Sequence, residues 1–347
     1  MRDIAALVLI FVVWLLFFWR IFAPRAIDRV QFVSGDFTQQ FLVFRNFAFD
    51  ELKQGRLPLW LPCIDSGYPY QADPQSALFY PPALLNLGLN IAAGAQQFSI
   101  EALELEAALH VLLAAVLLYG FLCGEVRRRS SAVLGALVFA FGGYLTGYPI
   151  LQLAILETVT WLPLALWAAR RLAARGDVRS LAVMAAALAL SVLAGHPQTY
   201  TYIFYLVAIY FVYRARREQM SWGKTLVRLS GVIGLALMLS AIQLIPSLEY
   251  LRLSTRADLS FTQAAAGLPL ADILQLFMAN VVSHFNPLYV GWLPLACAAF
   301  AIAAQRKVSD TFFWSLIALA GVVISFGGSS AAFDGAYWLL PGYSVFR

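Results

Sequence analysis

Apolar residues in this chain come in long unbroken stretches instead of the short alternations of a water-soluble fold. A helix needs roughly 20 such residues to cross a hydrocarbon layer about 30 Å thick. Nine stretches approach that length: Ile4 to Phe22, Leu105 to Cys123, Ser131 to Tyr148, Leu151 to Ala169, Leu181 to Leu193, Tyr200 to Tyr213, Leu226 to Ile245, Pro287 to Ala304 and Phe312 to Phe326. The fifth and sixth are short and need extension at their ends. The pattern predicts an all-α polytopic integral membrane protein with about nine transmembrane helices.

Two connections are long, residues 23 to 102 and 247 to 286, and long loops with internal order usually carry function. In the first, Phe37, Phe41, Phe44, Ala48 and Leu52 recur at helical spacing with Phe47 beside them, while Gln39, Gln40, Arg45, Asn46, Asp50, Glu51 and Lys53 lie elsewhere. This predicts an amphipathic helix over Phe37 to Leu52 lying in the membrane interface. Beyond it Gly55, Pro58, Pro62, Gly67, Pro69, Pro74, Pro81 and Pro82 forbid a long helix, and Trp60, Tyr68, Tyr70, Phe79 and Tyr80 supply aromatic surface. In the second, Leu268 to Met278 predicts a short helix. Asp258 and Asp272 flank a polar, Ala/Gly-rich stretch that reads as mobile.

Composition sharpens the class. The chain is 61% hydrophobic and 12% charged, which excludes an ordinary soluble domain. A net charge of +5 over 347 residues is too dilute for a nucleic-acid groove. Topology explains it better. With a cytoplasmic N-terminus, the inner segments hold fifteen cations (Arg2, Arg127 to Arg129, Arg170, Arg171, Arg175, Arg179, Arg214, Arg216, Arg217, Lys224, Arg228, Arg306, Lys307) against five acids (Asp3, Glu125, Asp177, Glu218, Asp310). The outer segments keep the other nine cations and fourteen acids, and every short inner loop obeys the positive-inside rule. The first stretch reads as an anchor: its n-region is barely charged and Phe22-Ala23-Pro24-Arg25 offers no small-x-small cleavage site. Cys63, Cys123 and Cys297 have neither disulfide nor zinc spacing.

Soluble-enzyme signatures are missing. Gly223-Lys224-Thr225 resembles the end of a P-loop, but Glu218 stands where the earlier glycine belongs. His110, His196 and His284 make no metal motif, and His110 reads as a satisfied bundle histidine. Gly143 and Gly147, spaced GxxxG, read as close helix packing.

The outer segments hold the informative order: Gly35-Asp36-Phe37-Thr38-Gln39-Gln40-Phe41, Gly55-Arg56-Leu57-Pro58-Leu59-Trp60, Asp65-Ser66-Gly67-Tyr68-Pro69 and Gln75-Ser76-Ala77-Leu78-Phe79-Tyr80-Pro81-Pro82. Together with Gly195-His196-Pro197-Gln198 this order resembles the bacterial YfhO-like membrane proteins, which belong with the GT-C glycosyltransferases. The resemblance covers essentially the whole chain. It implies a GT-C-like helical bundle in the bacterial cytoplasmic membrane, a first outer loop carrying a catalytic acid just after the first transmembrane helix, and amphipathic helices packed beneath that loop. It also implies a sugar donor linked to polyprenyl phosphate and an extracytoplasmic acceptor: a cell-envelope polymer, glycolipid or protein. Residues 1 to 347 then form one transmembrane module, and because such proteins usually continue past the ninth helix, the expectation is either an N-terminal fragment of a longer chain or a natural N-terminal module.

Asp36 stands where the resemblance places the acid. A lipid-linked sugar phosphate keeps its head group at the interface, so a base for the acceptor hydroxyl belongs at that depth. The competing role for Asp36 is a helix N-cap. Glu157, an acid inside an apolar stretch, and Asp65 are further candidate acids; Asp65 and Asp73 also suit turns. Candidate substrate contacts are His196, Gln198, Gln40, Trp60 and Tyr80, with Arg252 and Arg256 as cations for the donor phosphate; Arg20 and Arg25 are also available, but snorkelling to lipid head groups competes for both and is the reading favoured for Arg20. No cofactor is certain; a divalent metal stays open. A lipid or solute transporter, or a flippase, is the competing function, expected to place ionisable groups near the bilayer midplane in related halves.

Overall fold

The computed structural model describes residues 2–64, 66–147, 152–257, 259–282, 288–305 and 308–345. Of the residues singled out above, Asp65, Tyr148, Leu151, Asp258, His284, Pro287, Arg306 and Lys307 lie outside the described ones. Among the described residues the chain is all-helical and forms no strands. Each of the nine apolar stretches is helical over most of its described length. Three helices, Ile100–Glu125, Leu153–Arg175 and Trp222–Leu239, are long and apolar enough to cross a membrane, as expected of a membrane protein; the apolar helices Asp3–Phe17, Val178–Leu193, Trp292–Ala304 and Ser309–Ser325 are shorter. The chain divides into two compact units, one of Met1–Ala140 with Pro149–Tyr250 and one of Phe141–Tyr148 with Leu251–Arg347.

The first unit is built on α4 (Ile100–Glu125), α7 (Leu153–Thr160), α8 (Leu162–Arg175), α9 (Val178–Leu193) and α10 (Pro197–Arg217), which pack on one another; α1 (Arg2–Phe17) lies on α4 and α11 (Trp222–Leu239) on α9. Local sequence sets the boundaries. Ser99 caps α4 through the Ala102 amide, Asp177 caps α9 through Ser180, and Ser221 caps α11 through Lys224. Pro163 cannot donate to the carbonyl four residues before it, and the long α7–α8 stretch is interrupted at Trp161. Small buried residues on α9, including Ala185, Ala187 and Ala189, let its neighbours approach closely. Pro197 starts α10 at a position where the missing N–H costs nothing.

Between α1 and α4 the chain makes a π-helical turn (Phe37–Phe41) running into α2 (Leu42–Lys53), a one-turn helix at Pro74–Ser76, and α3 (Pro81–Ala92). Pro81 and Pro82, expected only to break helices, open α3 from its first turn. A pair of backbone hydrogen bonds, 2.8 Å each, joins Leu61 to Tyr68 across the Pro-rich segment.

The helix expected over Phe37 to Leu52 is present, but its apolar stripe does not face lipid. Phe37, Phe41, Phe44, Ala48 and Phe49 are buried in protein, with Phe44 and Phe47 against Tyr70 at 5.3 and 5.0 Å between ring centroids and Phe37 against Phe32 at 5.1 Å. The 3.6-residue period is the same for a stripe facing a core and one facing lipid. Instead α3 turns apolar residues outward, with Leu85 and Leu89 exposed.

The second unit contains α6 (Gly143–Thr146), α13 (Phe261–Ala264), a 3-10 helix at Leu270–Leu276, α14 (Trp292–Gln305), α15 (Ser309–Ser325) and α16 (Ala332–Leu339). Before α6, α5 (Arg129–Phe141) ends ahead of Gly142; Gly143 opens α6 and Gly147 caps its end, its N–H donating to Gly143 O. The Ala/Gly-rich stretch expected to be mobile is pinned: Ser260 and Gln263 form a capping box, Leu268 N–H donates to Ser325 O at 2.8 Å, and Gly328 N–H donates to Ala265 O at 2.9 Å. A Cβ on Gly267 would lie 2.4 Å from the Gly327 nitrogen, so the glycines permit this backbone approach. Phe261, Phe333, Tyr337 and Tyr343 close the unit as an aromatic cluster.

Candidate functional site

The turn that opens the π-helical segment is made by Gly35, whose carbonyl accepts from the Thr38 and Gln39 amides. Asp36 therefore stands at the head of the turn, yet its side chain makes no capping hydrogen bond. The carboxylate is exposed and accepts instead from Gln152 Nε2, brought from the residue before α7. One turn after Asp36, Gln40 Nε2 donates to Gln75 Oε1 at 2.5 Å.

Gln75 belongs to a tightly held loop. Asp73 accepts from the Gln75 amide at 2.8 Å and from the Tyr68 hydroxyl at 2.7 Å, so the turn reading of Asp73 accounts for its position. Burial and the Asp73 charge push the Tyr68 phenol up from its ordinary value. From α12 (Ala241–Arg252), Gln243 donates to the carbonyl of Gln71 at 2.9 Å, and Ser247 to that of Ala72, also at 2.9 Å. Gly195 meets the same loop from the other side: a Cβ there would lie 2.0 Å from the Pro74 carbonyl oxygen. Two motifs far apart in sequence, Gln75-Ser76 and Gly195-His196-Pro197-Gln198, thus touch through backbone.

Beside this loop sits a buried charged cluster. Arg45, expected on the polar face of α2, is 2% exposed. Its Nη2 lies 3.0 Å from Glu106 Oε1 and 3.4 Å from Glu157 Oε1, and its Nη1 donates to Ser76 O at 3.0 Å. Asn86 Nδ2 donates to the other Glu106 oxygen at 2.5 Å. Burial alone would lower the Arg45 guanidinium, but the two carboxylates outweigh it and hold it above its usual range. Glu157, expected as a catalytic acid, is fully enclosed and ion-paired. A signal for the cluster did exist: Glu106 and Glu157 are the acids set within apolar stretches.

Tyr80 requires a correction. It is completely buried, and its hydroxyl accepts from Trp161 Nε1 at 2.8 Å. Since Trp can only donate, the Tyr80 proton goes to His110 Nε2, 2.7 Å away, and His110 Nδ1 donates to Glu106 O at 2.7 Å. The hydroxyl is saturated and offers nothing to a substrate. His110 is a satisfied bundle histidine, as read from sequence.

The remaining candidates are spread out. His196 caps α10, its Nδ1 accepting from Thr199 N–H at 3.3 Å and Oγ1 at 2.8 Å, while its own amide donates to Thr158 Oγ1 at 3.4 Å, next to Glu157. Gln198 Nε2 donates to the Tyr202 hydroxyl at 3.1 Å. Trp60 is exposed, its ring lying over Gly67, where a Cβ would fall 2.5 Å from the ring. Arg252 and Arg256 are exposed residues of the second unit. The structure therefore draws Gln40, Tyr80, Glu157 and His196 around one loop, with Asp36 tied to the head of α7. Among the described residues no group of three or more His, Cys, Asp or Glu side chains could hold a metal ion. No family model, curated protein or solved structure matches this chain.

Proposed function

We propose that the protein is a membrane glycosyltransferase of GT-C-like, nine-span architecture in the bacterial cytoplasmic membrane. It moves a sugar from a polyprenyl-phosphate donor to an extracytoplasmic acceptor: an envelope polymer, a glycolipid or a protein. The reading draws its main support from Asp36, an exposed carboxylate that does no capping and accepts a hydrogen bond from Gln152, the residue before α7. In the reaction the Asp36 carboxylate takes the proton of the acceptor hydroxyl as that oxygen bonds to the anomeric carbon. The bond from that carbon to the donor phosphate oxygen breaks with its electron pair, and polyprenyl phosphate leaves. In this reading His196 and Gln198, beside the loop held by Gly195, contact the sugar or its phosphate.

The test is sugar transfer by purified protein in lipid, with labelled polyprenyl-phosphate sugars and label followed into lipid, polymer and protein fractions. Asp36→Asn keeps the size of the side chain and should lower turnover by the roughly 10²-fold typical of losing a general base. Normal transfer by Asp36→Asn at normal expression would remove Asp36 from the chemistry. The transporter or flippase reading takes its support from the ionisable Arg45, Glu106 and Glu157 inside the bundle. Flux of labelled lipid across sealed vesicles, without transfer of sugar, is the result that would favour it.

A further inference from the structure

We propose that Gln152 is the positioning residue for Asp36, an inference that rests on the transferase reading above. A carboxylate on an exposed turn samples several rotamers, whereas a base must meet the acceptor hydroxyl in one orientation. Gln152 removes that freedom: its Nε2 donates to Asp36 Oδ2, leaving Oδ1 to receive the proton. The carboxylate can only accept, so the nitrogen is the amide atom that faces it.

The glutamine stands on a rigid support. Every residue of α7 from Leu153 to Thr160 is buried. Thr158 and Ser191 exchange side chain to backbone hydrogen bonds at 3.3 and 3.2 Å, and Glu157 pairs with Arg45. The other end of the same amide carries the second observation. Gln152 Oε1 is buried and has no hydrogen-bond partner among the described residues. The amide is thus turned towards Asp36 at the expense of its own carbonyl, an orientation that a glutamine serving only to fill space would not hold.

Three substitutions separate orientation from packing, each assayed in lipid at equal amounts of folded protein beside Asp36→Asn. Gln152→Ala should lower kcat about tenfold with KM unchanged, because the group lost acts on the base and not on substrate. Gln152→Glu, of equal size but with no donor and a like charge, should lower kcat about 10²-fold. Gln152→Lys keeps a donor and should stay within roughly threefold of the parent. In an Asp36→Asn background all three should have no further effect, since the residue they orient is gone. Equal losses in the three variants, a loss confined to KM, or losses that add to that of Asp36→Asn would each overturn the proposal while leaving Asp36 as the base. Retained transfer by Asp36→Asn would instead overturn the reading on which the proposal rests.

Discussion

At the scale of single residues, the buried Arg45 shows how a charge can be structural inside a helical bundle. Two carboxylates and a backbone carbonyl surround its guanidinium, and Asn86 satisfies the far oxygen of Glu106. Removing one partner of such a cluster is far worse than removing all of them, because a lone charge cannot leave the interior or be solvated. Arg45→Met should therefore destabilise the protein by about 3–5 kcal/mol, read as earlier thermal unfolding in detergent. The triple variant Arg45→Met, Glu106→Gln, Glu157→Gln should recover most of that loss. If the triple variant unfolds no later than the single one, the charges hold the bundle in some way beyond mutual compensation. Arg45 also marks where sequence reading stops. Its position on α2 puts it among polar residues, and only the arrival of α4 and α7 with Glu106 and Glu157 turns that face inward. Gln152 is harder still, since an amide beside an apolar stretch carries no charge to flag it. Glu157, by contrast, was legible as an oddity, because an acid in an apolar run needs a partner wherever the run ends up.

At the scale of elements, helix existence was legible and helix environment was not. The stretches near Leu105, Leu151 and Leu226 became the helices long enough to cross a membrane, since length and hydropathy alone decide that. The stripe Phe37, Phe41, Phe44, Ala48 specified a helix but not its neighbour, and Tyr70 with Phe32, not lipid, covers it. The contact of the Pro74–Ser76 turn with the start of α10 was written in the sequence only as a glycine. Gly195 has φ +95°, and its missing Cβ is what lets Pro74 O approach. Gly195→Ala is therefore strained twice, by conformation and by collision with rigid backbone. It should cost about 1–3 kcal/mol for the backbone alone, and the shifted loop should lower transfer as well. Gly55→Ala, with φ +73° but open space around it, shares the conformational cost without the collision. Equal losses of stability and activity in the two variants would show that the contact with Pro74 matters little.

At the scale of the first unit as a whole, charge sorts itself in space as it does along the chain. Arg129 pairs with Asp3 at 2.9 Å and Arg170 with Glu125 at 3.0 Å, joining residues all assigned to inner segments. Arg56 pairs with Glu51 at 2.6 Å within the first long connection, and Arg45 of that same connection pairs with Glu106 and Glu157 of the bundle. Ion pairs of a bundle crossing a membrane must form this way, because partners on opposite faces would be separated by the hydrocarbon thickness. Geometry thus supports two ends, and in the function proposed above the end whose short connections are rich in Arg and Lys faces the cytoplasm. The native Cys63, exposed in the segment between α1 and α4, makes the orientation measurable. With Cys123 and Cys297 replaced by Ser, a membrane-impermeant maleimide on intact cells should label Cys63. A second protein, free of the native cysteines and carrying Ser130→Cys at the start of α5, should react only after the membrane is opened. The reverse pattern would turn the protein over in the membrane, put Asp36 on the cytoplasmic face, and leave it unable to meet a donor presented from outside.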